Sequence, residues 1–443
     1  MRHQSSRWTR TPVTASYCPK ELSHPPPSSP LKGEDGECIK AARLVLKGGV
    51  GQPFSLEGGR RRMGVRRTLA KKAAFIYDDA LSGHVLSDTH PMKPVRLRYT
   101  YELLEAYGVL TAPTAMVVKP RVATEEEVLR HHTHAYVDAV KAYNVGKMPL
   151  NPERYNFAAG DNPPYKGVYD AALLSTGASL TAVELLLSGQ ADRAMNISGG
   201  LHHAMPGYTY GFCVFNDPVI AIKALVDKGL RVAYVDIDCH HGDGVQHAFY
   251  ATDQVLTISL HESGAFLFPG TGFVQEIGAG KGRGYAVNVP LYPYTTSDVY
   301  LWAFREVVPP LLEAFRPDAL VTQLGIDTHY LDPITHIAQT TQGFGDVVRE
   351  FAKLDTKWLA LGGGGYDLQA VARSWALAYA IMAGQELSNE IPASYSERYG
   401  IASLKDPDDL PIPQEVRKDV RTFAEGSVEA VHRLIFPLHG IRV

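Results

Sequence analysis

Asp236, Asp238, His240, His241 and Asp243 crowd into one stretch, VAYVDIDCHHGDGV, from Val232 to Val245. Ahead of them, Val232, Ala233, Tyr234 and Val235 form an apolar run that follows the charged Lys228 and Arg231, as a buried strand does. Strand side chains alternate faces, so Asp236, Asp238 and His240 are expected to project to one side. Two carboxylates and an imidazole placed there repel and desolvate one another unless a cation lies between them. His241 and Asp243 then fall in the loop where a parallel strand delivers its chemistry. A surface acidic loop with structural histidines is the plain alternative. The metal reading outweighs it, because His/Asp clusters at ligand spacing rarely end a hydrophobic strand otherwise.

A second apolar run, ALVTQLGID, ends at Asp327. Alone, Asp327 reads as a helix N-cap; beside the central motif, Asp238, His240 and Asp327 make the three-ligand set of a catalytic metal with a position open for water. Two oxygens and one nitrogen suit Zn²⁺ and are hard enough for Fe²⁺ or Mn²⁺. Such a metal activates water and polarises a carbonyl. Hydrolysis also needs a base and an acid that work near neutrality, and the adjacent His202 and His203, in the loop GGLHHAMPGYTYGFCVFND, can supply both. Each needs a carboxylate on its other nitrogen, and Asp236 and Asp243 are the spare ones. Tyr366 follows Gly362 to Gly365, a run that lacks the Lys-Ser/Thr of a phosphate loop. Its glycines are read as letting the backbone crowd the site and set the phenol over the metal as an oxyanion donor. Phe212 and Phe268, beside glycine-rich turns, fit either the walls of an apolar channel or the core. His131 and His134 have no accompanying carboxylate and are read as helix surface and packing.

The elements that must position these groups alternate strand and helix. Strands are expected at Ala73 onward (AAFIYDD), Arg193 to Ser198, Val232 onward, Val255 to His261, YAVNVPL, ALVTQLGID and WLAL. Helices are expected after HPMKP, from the capping box Thr124-Glu125-Glu126-Glu127 through His131, His132, His134 and Tyr136, and at Tyr169–Leu187, Pro218–Asp227, Trp302–Phe315 and DLQAVARSWALAYAIMA. This pattern predicts an α/β fold, a single open, doubly wound, mostly parallel sheet flanked by helices. No repeat of fixed period stands out.

The 443 residues, 45% of them apolar, with a mean hydropathy of −0.13, supply ample core. Cys18, Cys38, Cys213 and Cys239 form no C-x-x-C pair, which points to a reducing compartment, the cytoplasm. No uninterrupted apolar run is long enough to span a bilayer, and no membrane association is expected. Residues 1–72 hold 15 Lys and Arg against 5 Asp and Glu, leaving 29 against 42 for the rest. With its Pro25–Pro30 cluster and no periodicity, this basic extension is expected to be largely disordered. Nucleic-acid contact and an address are the uses its charge suggests, and a start of translation at Met63 is another reading. The acidic remainder argues against nucleic-acid binding by the main domain. Residues 73–390 are expected to form the catalytic domain and 391–443 a C-terminal tail packed on it; beyond residue 400 the sequence is rich in proline and charge and carries no motif.

In order along the chain, HPMKPVRLR, LHH, GFCVFND, DIDCHHGDGV, FPGTG, GAGKG, DTHYLDP and LGGGGY resemble the motifs of the arginase-fold, metal-dependent histone deacetylases. The resemblance covers about residues 73–390 and is strongest to the bacterial acetoin-utilisation branch, close to the class I enzymes. It implies zinc held by Asp238, His240 and Asp327, dyads His202–Asp236 and His203–Asp243 with His203 as principal base, and Tyr366 on the oxyanion. It implies a lysine channel of Gly211, Phe212 and Phe268, Asp161 gripping substrate backbone at the rim, Ile334 at the apolar mouth, and Arg96 below the site near an acetate cavity. It further implies potassium at Asp236, Asp238, His240, Ser259 and Leu260, and a second potassium at Phe249, Thr252, Val255 and Tyr285. Cys239 between two ligand positions, Asp332-Pro333 after the metal aspartate and Asp367 after the tyrosine depart from the class I pattern.

The expected activity is hydrolysis of an N-acetyl amide, acetyl-lysine in a protein first, to acetate and the free amine. Two rival readings are an acetylpolyamine or other small-amide hydrolase on the same scaffold, and a catalytically silent protein that binds acetyl-lysine. A two-metal arginase-type site would need more carboxylates than the sequence places.

Overall fold

Short aliphatic runs, buried on both faces, become the strands of one sheet in the computed structural model, which describes residues 71–83 and 85–442. The basic extension expected over residues 1–72, with Met63, Cys18 and Cys38, lies outside the described residues except for Lys71 and Lys72. The strands are β1 (Ala73–Ile76), β2 (Ala115–Val118), β3 (Arg193–Asn196), β4 (Val232–Asp236), β5 (Val255–Glu262), β6 (Ala286–Leu291), β7 (Ala319–Gln323) and β8 (Lys357–Leu361). They pair in parallel in the order β2-β1-β3-β8-β7-β4-β5-β6. Parallel strands need crossover connections, here mostly helices that cover the sheet, so the central strands are buried on both faces.

The order fixes where chemistry can sit. The chain builds outward from β1 to β2, and from β4 through β5 to β6, and then returns to insert β7 and β8 between β4 and β3. At that reversal the loops leaving β3, β8, β7 and β4 at their carboxyl ends meet in one crevice. Register holds them level: Asp236 pairs with Gln323 and Ser259, and Leu361 with Gln323 and Asn196. Buried indoles brace this centre, Trp358 Nε1 donating to Thr322 Oγ1 at 2.9 Å and Trp375 Nε1 to the Leu324 carbonyl at 2.7 Å.

Several expectations need correction. β4 stops at Asp236, so strand alternation does not carry through to Asp238 and His240; those residues lie in the following loop. The capping box forms, with Thr124 and Glu127 exchanging both bonds, but it opens only Glu125–Val128. A new helix, His134–Asn144, begins at its own cap Thr133, so His131 and His134 do not share a helix face. His132 is instead a core group, accepting from Asn216 N at 2.9 Å and facing the Met205 carbonyl at 3.1 Å. β2, the half-exposed edge strand AMVV, escaped the sequence reading although all four of its residues are apolar; four residues beside Pro113 and Pro120 make too short a run to stand out. The helix Gln414–Leu434 was equally unforeseen; it packs on β6 and on the helix Ser297–Phe315, with Ser427 Oγ donating to the Pro290 carbonyl at 2.7 Å.

The helix Val168–Ser188 is long and apolar enough to cross a membrane by length and composition, yet 72% of that apolar window is buried within the fold. It is a core helix, and it packs closely: a Cβ on Gly177 would come 2.0 Å from the Arg121 carbonyl oxygen. Helix propensity favours alanine over glycine by about 1 kcal/mol. Against this backbone contact Gly177→Ala is nonetheless expected to destabilise the protein by roughly 1–3 kcal/mol. A lower urea midpoint at unchanged slope is the result to look for; a raised midpoint would mean that the segment around Arg121 yields freely.

Candidate active site

Three donor atoms of Asp238, His240 and Asp327, all buried, lie within 4.8 Å of one another, the one such cluster among the described residues. His240 Nδ1 stands 2.9 Å from Asp327 Oδ2 and 3.2 Å from Asp238 Oδ1. The backbone holds the carboxylates from behind: Cys239 N donates to Asp327 Oδ1 at 2.8 Å, and Gly364 N to Asp238 Oδ2 at 2.7 Å. Burial, reinforced by the Asp238 charge, pushes the Asp327 carboxyl up to about 6. Two carboxylates and one imidazole so confined, with no lysine or arginine bonded to them, are the donor set of a divalent cation, and the residues fit that group.

Asp236 is not part of this cluster. Its Oδ2 binds His202 Nδ1 at 2.8 Å and accepts from the Tyr234 hydroxyl at 2.7 Å, while its Oδ1 takes Asp238 N at 3.0 Å. His203 Nδ1 lies 2.7 Å from Asp243 Oδ1. The two Nε2 atoms of His202 and His203 face each other at 3.0 Å, so the contact holds one proton. Burial opposes a charge on either ring. For His202 the carboxylates of Asp236 and Asp238 overcome it and raise the imidazole to about 9, whereas burial and the neighbouring His202 hold His203 well below the usual range. His203 is thus the neutral member, its Nδ1–H given to Asp243 and its Nε2 accepting the Nε2–H of His202.

The loop bearing both histidines is held by polar residues absent from the sequence reading. Asn216 caps the helix Asp217–Val226 with its oxygen and donates its amide to the carbonyls of His202 and Ala204 at 3.1 and 3.0 Å. Asp217 accepts the amides of Gly200 and Leu201. Asn162 Oδ1 accepts Phe212 N at 3.0 Å, fixing Phe212 at a left-handed φ of 68°. None of these carries a motif; each is legible only through a partner remote in sequence.

Aromatic rings gather beside His203 and Tyr366. Phe268 packs 5.1 Å from the His203 ring, and Phe212 stands edge-on to Tyr366 at 5.8 Å. Gly211, at φ 49°, leaves no room for more, since a Cβ there would lie 2.5 Å from the His203 ring. The glycines before Tyr366 do as expected: a Cβ on Gly364 would sit 2.0 Å from Asp327 Oδ2. Arg96, stacked on Trp375, grips the carbonyls of Gly363 and Gly365 at 2.8 Å each and lines a small cavity with Met92, Leu97, Ser175, Ser198 and Leu201. The Tyr366 phenol is held protonated by burial and by the carboxylates of Asp327 and Asp238.

Asp332 ties the far wall together, accepting Tyr366 N at 2.9 Å through Oδ2 and Ile334 N at 3.0 Å through Oδ1. Ile334 is half-buried there. Asp161 is exposed, its carbonyl 3.3 Å from His90 Nε2, and His90 packs 4.4 Å from the Phe212 ring. Of the positions expected to hold potassium, Ser259 pairs with Asp236 across β4 and β5 and its Oγ meets His261 Nδ1 at 2.8 Å; the Leu260 carbonyl accepts the Tyr300 hydroxyl at 3.0 Å. In the second group, Thr252 N bonds the Phe249 carbonyl at 3.2 Å, Val255 opens β5, and the Tyr285 carbonyl takes Thr257 N at 2.9 Å.

Comparison with known proteins agrees with this geometry. The histone deacetylase domain family matches residues 90–382. The chain is 39% identical over 362 residues to the acetoin utilization protein AcuC of Bacillus subtilis, covering 78% of this chain and 93% of that one. It is 37% identical over 334 residues to histone deacetylase 1 of Homo sapiens, covering 74% and 68% respectively. The crystal structure of an HDAC homolog from Aquifex aeolicus superposes with a TM-score of 0.73 at 31% identity, covering 81% of this chain and all of that one.

Removing one anionic donor should be felt directly by the cation. Asp327→Asn is expected to weaken zinc binding by about 10–100-fold or more, since even outer partners of metal ligands are worth that much. Competition against a chromogenic chelator measures it; unchanged affinity would remove Asp327 from the ligand set.

Proposed function

The chain belongs to the histone deacetylase domain family, and we propose that it hydrolyses N-acetyl amides, acetyl-lysine of proteins first, to acetate and the free amine. The observation that carries this reading is the buried Asp238–His240–Asp327 cluster lying beside two His–Asp pairs, with Phe268 packed on His203 and Phe212 on Tyr366. Zinc is the proposed ion, with Fe²⁺ the alternative its two oxygen donors allow. When bound, the cation supplies Lewis acidity to the scissile carbonyl and the attacking water.

The protein's own groups do the rest. Gly211, Phe212 and Phe268 admit a slender, uncharged acetylated chain and exclude bulk water from the amide. His203 Nε2 exchanges its contact with His202 for the attacking water and takes that water's proton, and Asp243 on Nδ1 holds the ring in the tautomer that can do so. His202, kept cationic between Asp236 and His203, steadies the negative charge that develops on the acetyl oxygen. The Tyr366 O–H donates to the oxyanion, and collapse passes a proton from imidazolium to the leaving nitrogen. Asp161 at the rim is proposed to hold the substrate backbone and Ile334 to line the entrance. Potassium at the positions named above is proposed on resemblance, as is a cytoplasmic setting on cysteine usage.

The test is turnover of the zinc-loaded protein on acetyl-lysine peptides and on acetylated diamines, with a chelator control. Chelator-sensitive release of acetate from the peptides supports the reading; release from the diamines alone would move the substrate to small amides. Tyr366→Phe is expected to lower kcat by about 10²–10³-fold while zinc content and KM hold. Wild-type turnover in that variant would take the oxyanion role away from Tyr366.

A further inference from the structure

Asp406 lies beyond the residues that match the family, 90–382, on the segment between the helices Ala393–Tyr399 and Gln414–Leu434. Its carboxylate is nonetheless buried, and it joins two loops of the site. Oδ2 takes His329 Nε2 at 2.9 Å and Thr341 N at 2.7 Å; Oδ1 takes Arg373 at 2.7 Å. His329 sits two residues past Asp327, in the loop that also carries Asp332 and Ile334. Its Nδ1 accepts Leu331 N at 3.2 Å, so Nε2 must carry the proton and donate to Asp406. Arg373 is on the helix Leu368–Met382, which opens at the N-cap Asp367 directly after Tyr366. A second bond set, Arg373 to the Leu404 carbonyl at 3.0 Å, fastens the same segment.

We propose that Asp406 is a positioning residue, clamping the loop of Asp327 against the helix that follows Tyr366 and so fixing the phenol relative to the metal ligands. A salt bridge serving stability alone would need only Arg373. Here one carboxylate is divided between the two walls, with each oxygen assigned to one of them. The segment outside the family match is on this view part of the catalytic unit. The consequence for rate rests on the deacetylase reading; the consequence for loop order does not.

Asp406→Asn, in the full zinc-loaded chain, tests the clamp by two readouts. Amide hydrogen exchange over residues 328–341 and 362–368 should quicken by about tenfold or more, with the strands unchanged. On an acetyl-lysine peptide kcat should fall about 10–100-fold with KM held, and the same substitution should cost much less in a Tyr366→Phe background. Gln342→Ala is the comparator, since Gln342 fastens the same segment without touching the Asp406 carboxylate: it bonds the Asp406 backbone at 3.0 Å both ways and Asp408 Oδ1 at 3.4 Å. It should lower the melting temperature and leave kcat alone. Equal falls of kcat in both variants, or faster exchange spread over the whole fold, would reduce Asp406 to a stability element and overturn the clamp. So would unchanged exchange and rate in Asp406→Asn. If that variant does not fold, His329→Asn, which keeps the acceptor for Leu331 N and loses the donor to Asp406, is subject to the same outcomes. Local loosening in Asp406→Asn alongside a wild-type protein that hydrolyses no acetyl amide would leave the clamp standing and dismiss the deacetylase reading.

Discussion

Buried negative charge without enough positive partners is what the rest of the molecule answers to. Asp236, Asp238, Asp243 and Asp327 all lie at the carboxyl edge of the sheet, none of them more than 8% exposed. Each carboxylate in such a place costs several kcal/mol unless it is paired or hydrogen-bonded. Imidazoles take up part of the load, backbone amides of Cys239, Gly364 and Gly244 another part, and the remaining deficit between Asp238 and Asp327 is shaped for a divalent ion.

That requirement explains the glycines. Amides can reach the carboxylates only if the backbone itself approaches, and at Gly364 a side chain would occupy the place of an Asp327 oxygen. Arg96 then meets the carbonyls that this turn leaves facing inward. A guanidinium beneath the loop and carboxylates above it hold the segment before Tyr366 from both sides, although it contains no regular structure.

Much of this was legible in the sequence, and for a definite reason. Asp238, His240, His202, His203 and Tyr366 sit in short runs where a hydrophobic strand ends in chemistry-bearing side chains, a pattern that needs no tertiary knowledge. The parallel sheet followed from alternating strands and helices. What escaped were side chains whose partners are backbone amides or loops far along the chain: Asp332 on Tyr366 N, Asn216 on His202, Asn162 on Phe212, Asp406 on His329. Their spacing has no period, so no local rule could find them. Strand alternation was pressed one step too far past Asp236, because a strand ends where its neighbours stop pairing and not where its polar residues do.

Asp332 has one further implication. Its two oxygens are committed, one to the amide of Ile334 and the other to the amide of Tyr366. If Ile334 lines the entrance, as proposed, moving its backbone to widen that doorway pulls on the phenol as well. On that reading a variant that accepts a bulkier acyl chain has to exchange side chains on a fixed frame, because substrate breadth and turnover share one carboxylate.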